Sequence, residues 1–482
     1  MKFAIKKTLI VLPVILVALG VGVFSKCAAA PKAAAMETGR DIHYSTITVD
    51  THNDSLLNTV YQESWPPRVD IGISSARHQL DLVKMREGGL DVAFFGAFSE
   101  DHEREDLSNS VILRLLNALY WLEERNKDSF GITRAPEEMM ALYKAGKLAG
   151  VPAIEGAYSL KSHNALELLR QYNDLKVAYI TLCWHYSNAL GEGVYAYYRD
   201  KKPSSGGLTP LGAEVVREMN RLGIAVDVSH MNDATFWGVV EASNAPIIAS
   251  HSNAWGVFQH MRNLKDDQLI AIAKSGGVVH QNFYSGYLGP PGQQELKNMV
   301  DMIDYTVKLI GIDHVGLGSD FDGGSMPFDL PNAAYYYKIT EELVSRGYSR
   351  GDIEKILGKN TLRVFQAIQD LAEAPVTGGE PLVIKADANP VDINLAGAVM
   401  GGILKTRTPL LQARIQGNQI DASRFRIIVD GIVYDPEYYA GTGILSVTLE
   451  KPLREKFHIV TFEGANTSGQ VTRETKIFFI ED

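Results

Sequence analysis

The sequence predicts a (β/α)8 barrel followed by a small all-β, Ig-like sandwich. Three observations carry that expectation. Between residues 46 and 370, short apolar, β-branched runs alternate with longer amphipathic ones. Metal-binding side chains stand at the ends of several short runs, and a parallel barrel carries its chemistry at the C-terminal ends of its strands. After about residue 380 the helical periodicity gives way to strand-like stretches divided by turn signals.

Residues 1–35 read as an export signal. Lys2, Lys6 and Lys7 precede the apolar run from Leu9 to Phe24, and small residues follow it. The run is shorter than the ~20 residues that span a bilayer. Cleavage is therefore expected, with a retained signal anchor attaching the chain to a membrane as the alternative. Cys27 stands where a lipid-bearing cysteine would, but Lys26 replaces the small residue such sites carry before it. Either way the expected location is the periplasm or cell envelope. The one other cysteine, Cys183, leaves no disulfide framework, so the core and any bound metals must hold the fold.

The barrel is expected over residues 41–370. Its strand candidates are 46–50, 89–97, 150–155, 177–184, 224–229, 246–250, 277–283 and 314–319. Helix candidates are 75–88, 110–126, 165–174, 211–223, 233–243, 266–276 and 295–311, where apolar residues recur at three- and four-residue spacing. The rival architecture is an open doubly wound sheet. A Pro/Gly linker (371–380) leads to the sandwich, expected over 381–482. That tail shows no polar constellation and reads as a structural or docking module, with carbohydrate binding as a further reading. The net charge of −10 argues against a nucleic-acid partner, since phosphate binding needs a basic surface. A small substrate is the better expectation.

Five side chains form the candidate metal set: His52, Asp54, Glu155, His230 and His251. His52 and Asp54 are two apart, so on an extended strand end they face one side and reach one ion. Asp50 shares that side and is expected to hold the imidazole from behind. Glu155 ends an apolar run, and a buried carboxylate needs a cation; a bridge between two ions answers that need better than a salt bridge at the rim. His230 and His251 close consecutive strands, each preceded by a serine, and are expected to hold the second ion. Asp320 ends the eighth strand, placed to take a proton from an attacking water or to bind a substrate ammonium. Asp322 either points the same way or caps a turn. The residues together read as a binuclear metallohydrolase. The remaining histidines, His280 within the seventh strand among them, are expected in packing or solvated roles.

The segments DTHND (50–54), EG (155–156), SHMND (229–233), SHSNAW (250–255), MRN (261–263), GGVVHQNFY (276–284), DHVGLGSDFDG (313–323) and GKNTLRVF (358–365) together resemble the membrane (renal) dipeptidase family, zinc peptidases of the amidohydrolase-like metal-dependent barrel group. The resemblance covers about residues 41–370. It implies two zinc ions, one on His52 and Asp54 and one on His230 and His251, with Glu155 bridging; manganese or cobalt would suit the same donors. It further implies that Arg262 grips the substrate's C-terminal carboxylate, that Asp320 meets the free amino group or handles its proton, and that Tyr284 lines the pocket. His185 matches the residue that stabilises the oxyanion, although ITLCWHYSN has one extra residue before it, which would turn the side chain away if it shifted the strand register. The implied substrate is a dipeptide, including those with a C-terminal D-residue, and a homodimer is one implied assembly. The alternatives are hydrolysis of another amide, such as an N-acyl amino acid or a β-lactam, or a non-catalytic envelope binding protein.

Overall fold

The computed structural model describes residues 37–60, 65–100, 106–195, 206–292, 294–387 and 402–481, so the export segment expected at 1–35 lies outside the described residues. Nine parallel strands build the first sheet: β1 (Val49–Asn53), β2 (Val92–Phe98), β3 (Phe130–Ile132), β4 (Leu148–Glu155), β5 (Tyr179–Thr181), β6 (Ala225–Asp227), β7 (Ile247–Ala249), β8 (Val278–Gln281) and β9 (Val315–Leu317). Eight run in the order β1-β2-β4-β5-β6-β7-β8-β9, while β3, not foreseen in the sequence, pairs with β4 off that path. Backbone hydrogen bonds from Asp320 N to His52 O (3.0 Å) and from Asp54 N to Phe321 O (2.8 Å) bring the end of the path back to its start. The result is a nearly closed barrel with helices outside, as the alternation predicts.

Inward side chains fill the barrel in layers. Val49, Val92, Phe94, Val151, Ile248 and Val278 are buried together, and Phe365 rises among them from the helix Asn360–Asp370. The Phe365 ring lies 4.9 Å from that of Phe94, which stacks at 6.0 Å on Tyr179. One end of the barrel is therefore plugged by apolar packing, and polar side chains collect at the other. His280 belongs to the packed interior. It meets Ala249 O and Thr361 Oγ1 and takes the packing role expected of it.

Local chemistry sets the helix limits. Pro210–Leu222 starts after Thr209, whose side chain accepts from Gly212 N, and stops at Gly223 in the left-handed region. The helix expected over 75–88 is only Leu82–Gly88. Asp81 caps it by accepting from Lys84 N, and Asp322 accepts from Gln79 N and Leu80 N, so the residues before it form a loop tied to the barrel mouth.

Beyond an extended segment lie two sheets. One orders β10 (Val383–Asp387), β12 (Leu410–Gln416), β16 (Ile444–Thr448) and β15 (Glu437–Tyr439); the other orders β11 (Ile403–Leu404), β18 (Val471–Ile480), β17 (Phe457–Asn466), β13 (Ile420–Val429) and β14 (Ile432–Tyr434). Their facing side chains, among them Ile384, Leu411, Ile427, Leu445, Val460 and Phe462, form one apolar core. Every residue of β17 is buried. The two-residue period of a strand explains it: Val460 and Phe462 enter the sandwich core, while Phe457 and Ile459 join the apolar layer around the barrel. Residues Thr38–Asp482 are thus one compact unit.

Candidate metal centre and active site

Glu155 lies at the centre of the polar end. The chain turns immediately after it at Gly156, whose φ of +87° and a virtual Cβ 2.2 Å from Ser99 O leave room for no other residue. The Glu155 oxygens are shared out. Oε2 is 3.6 Å from His52 Nε2, while Oε1 is 2.9 Å from His230 Nε2 and 3.4 Å from His251 Nε2. Asp54 Oδ2 is 3.8 Å from His52 Nε2, so all five expected ligands converge. Asp320 Oδ1, 3.9 Å from His52 Nε2, brings a third donor atom beside His52 and Asp54. The rings of His52 and His251 stack with centroids 3.8 Å apart.

Two of these residues pay in backbone conformation for their place. His230 has φ of +70° and Asp320 φ of +64°, uncommon for residues with a Cβ and typical of functional sites. β6 stops at Asp227, so His230 is delivered by a turn, not by a strand end as the sequence suggests. Asp320 Oδ2 accepts from Asn282 Nδ2 at 2.9 Å. Asp322 takes the turn-binding alternative, accepting from Ser55 Oγ as well as from the 79–80 backbone.

The imidazoles are held from behind by residues that sequence reasoning missed. His52 Nδ1 is 2.7 Å from Tyr179 Oη, whereas Asp50, expected to hold it, instead accepts from Ser319 N and Oγ. The register irregularity in β1 between Asp50 and Asn53 breaks the simple alternation that put Asp50 beside the ring. His251 Nδ1 is 2.7 Å from Ser250 Oγ, itself bonded to Asp227. A charged residue inside the apolar run IAVDVSH was the available signal for Asp227.

His185 faces the site, its ring centroid 4.7 Å from that of His230. β5 ends at Thr181, before the extra residue, so a loop absorbs the insertion and no strand register changes. Bonds from Val194 N to His230 O and from Tyr195 N to His185 O tie that loop to the ligand turn. Burial, then Arg262, pushes the His185 pKa down to about 3, leaving a neutral ring. Arg262 is itself buried. It donates to His251 O and Ser252 Oγ and lies 5.4 Å from the Tyr287 ring, and among the described residues no carboxylate pairs with it. Tyr284 stands one ring further out, edge-on to Tyr287 at 4.6 Å.

The site suits a cation. His52 Nε2 and Asp54 Oδ1 are buried without hydrogen-bond partners. Burial and neighbouring Glu155 push the Asp54 carboxyl up to about 6. Burial also holds His230 and His251 well below the usual histidine range, with Arg262 adding for the first and His52 for the second; neutral imidazoles are the form that ligates. Burial opposes charge on His52 too, yet Tyr179, Glu155 and Asp54 outweigh it and raise its pKa well above the ordinary value. A site that draws a proton onto a fully buried ring is short of positive charge.

The barrel and its polar end together define a metal-dependent hydrolase. Residues 36–377 match the membrane dipeptidase family, peptidase family M19, and the chain belongs to it. An uncharacterized dipeptidase of Schizosaccharomyces pombe is 30% identical over 342 residues, 68% of this chain and 82% of that one. Dipeptidase tcpJ of Claviceps purpurea is 29% identical over 337 residues, covering 67% and 77%. A metallo peptidase from Rhodobacter sphaeroides, solved with a phosphinate mimic of the dipeptide L-Ala-D-Ala, superposes with a TM-score of 0.61 at 26% identity, covering 67% of this chain and 99% of that one. The protein is a metal-dependent dipeptidase. The family match stops at residue 377, so the C-terminal sheets lie outside it. Among the described residues no helix is long and apolar enough to cross a membrane.

Proposed function

We propose that this dipeptidase is an exported binuclear zinc enzyme that cleaves dipeptides, those with a C-terminal D-residue included. The observation that carries the reading is the division of Glu155, one oxygen toward His52 and the other toward His230 and His251. In this reading His52 and Asp54 would hold one ion and His230 and His251 the other, with Glu155 shared between them; imidazole and carboxylate donors suit zinc. Bound there, the ions supply Lewis-acid polarisation of the scissile carbonyl and lower the pKa of a water.

The chain's own groups do the rest. Arg262, a buried guanidinium with no carboxylate partner among the described residues, takes the C-terminal carboxylate, and Tyr284 lines the approach. Neutral His185 donates to the oxygen that becomes negative as the carbonyl is attacked. Asp320 carries a carboxyl raised by burial and by Asp54, as suits a group that passes a proton to the leaving amine. The mimic bound by the Rhodobacter sphaeroides relative supports acceptance of a C-terminal D-residue. The basic start and apolar run within residues 1–35 support export to the periplasm or envelope.

The test is elemental analysis of the purified protein, paired with hydrolysis of L,L and L,D dipeptides and N-acyl amino acids before and after chelation. Two zinc per chain and chelator-sensitive cleavage of both dipeptide classes are expected. One metal per chain would overturn the binuclear reading, and turnover of N-acyl amino acids at the dipeptide rate would overturn the role given to the free amine.

A further inference from the structure

Two of the three histidines around Glu155 are held through Nδ1, and by unlike partners. His52 meets Tyr179 Oη at 2.7 Å, and a phenol can give or take that proton. At His251 the direction is forced. Ser250 Oγ is 2.7 Å from His251 Nδ1 and also 2.7 Å from Asp227 Oδ2. A carboxylate only accepts, so the single hydroxyl proton of Ser250 goes to Asp227. The serine oxygen then has only a lone pair for the ring, and His251 Nδ1 must donate to it. Nε2 is left without a proton, 2.8 Å from His230 Nε2 and 3.4 Å from Glu155 Oε1. Two acceptors facing each other across that gap are an arrangement that a cation between them relieves.

Asp227 itself is fully enclosed. Oδ1 accepts from Ser250 N (2.7 Å) and Ser229 N (3.1 Å), and Oδ2 accepts from Ser250 Oγ and from Thr181 Oγ1 (2.5 Å). None of these partners is a cation, so Asp227 forms no ion pair with them. We propose that Asp227 is a positioning residue: acting through Ser250, it sets the tautomer and ring plane of His251 so that Nε2 is the nitrogen presented to the metal. This rests on the metal-site reading above.

A merely structural Asp227 would tie together the ends of β5, β6 and β7, and substitutions separate the two roles. In Asp227→Asn the two backbone N–H groups pin the amide oxygen at the Oδ1 position, which leaves the NH2 facing Ser250. The NH2 then donates to Ser250 Oγ, the hydroxyl proton turns to His251 Nδ1, and the ring's proton moves to Nε2, the wrong nitrogen for a ligand. Ser250→Ala removes the relay without reversing it. Thr181→Val removes a bond to the same carboxylate and leaves the relay whole.

The readout is zinc affinity, measured by titrating metal-free protein against a chromophoric chelator, with no activity assay needed. Asp227→Asn is expected to weaken one of the ions by about 10- to 100-fold, the usual effect of losing a group behind a ligand. Ser250→Ala should weaken the same ion less, and Thr181→Val should keep wild-type affinity. Equal losses in Asp227→Asn and Thr181→Val, or none in Asp227→Asn, would overturn the inference. If Asp227→Asn does not fold, Ser250→Ala against Thr181→Val decides it by the same criterion. Wild-type protein that takes up no zinc at all would overturn the metal reading, and this inference with it.

Discussion

The polar groups buried at the barrel mouth and those buried between barrel and tail are paired to different degrees. At the tail interface Gln171 spends its whole amide on the sandwich: Nε2 donates to Ile428 O and Thr461 Oγ1, and Oε1 accepts from Gly431 N. Asp174 receives Arg473 and Thr475, Asn109 donates to Asp430, and Phe457 N donates to Ser110 Oγ. At the mouth, His52 Nε2, Asp54 Oδ1, His185 Nε2 and Arg262 Nε lack partners among the described residues, whereas the unpartnered atoms at the tail interface, Glu167 Oε2 and Arg473 Nη2, belong to groups already held in ion pairs. An unpaired buried polar atom costs about 1–3 kcal/mol, so a cluster of them persists only where something else is to bind. Groups held in ion pairs and hydrogen bonds fasten the tail to the barrel; the ligand-type groups at the mouth are left open to bind.

The largest test of that contrast removes the tail. Truncation after residue 377 uncovers the barrel surface on which Phe457, Ile459 and Ile477 pack. Each such side chain contributes roughly 1.5–3 kcal/mol. The fragment should melt on the order of 10 °C lower or fail to stay in solution, measured by calorimetry and light scattering. An unchanged melting temperature would make the tail a passive appendage.

Glu155→Gln should cost several kcal/mol of transition-state stabilisation, roughly 10³-fold in kcat/KM. Glutamine keeps the size of the side chain, so the metal-free variant should still fold, read by circular dichroism. Arg262→Lys is next, since the planar fork is lost. A charged hydrogen bond is worth about 1.5–3 kcal/mol, so kcat/KM for dipeptides should fall some thirtyfold. Dipeptide amides, which lack the carboxylate, should lose much less.

Gln171→Ala probes the paired side. It leaves Gly431 N without its acceptor, at about 1–3 kcal/mol of stability, read by denaturant unfolding; kcat/KM should not move. The smallest effect is pH-linked. His458, at 2.6 Å from Asp430, is opposed by burial, but the carboxylate outweighs that and raises its pKa above the ordinary histidine value. A raised folded-state pKa contributes stability that is full below the unfolded value of about 6.5 and is lost as pH rises through the folded value. The stability gap between wild type and His458→Gln should therefore shrink as pH rises above neutrality. A gap that widens would mean His458 is held neutral.

The barrel was legible because its signals are local. Alternation of short β-branched runs with amphipathic ones survives in any reading of residues 46–370, and each ligand sits in or beside such a run. What the sequence hid depends on contacts between distant residues. Tyr179 looks like one more strand aromatic until the barrel closes and brings it to His52, and Asp50 looks well placed until the irregularity in β1 turns it to Ser319. Helix content before Leu82 was overestimated because Asp322, some 240 residues away, captures that backbone.

By itself, then, the sequence determined the architecture, the kinds of ligand and their order along the chain, since periodicity and residue chemistry are properties of short segments. Tertiary structure alone decided which nitrogen each histidine presents, how the two oxygens of Glu155 are divided, and that β17 joins tail to barrel, one face in the sandwich core and the other against the barrel. Those outcomes depend on distances between residues far apart in the chain, and only folding sets such distances.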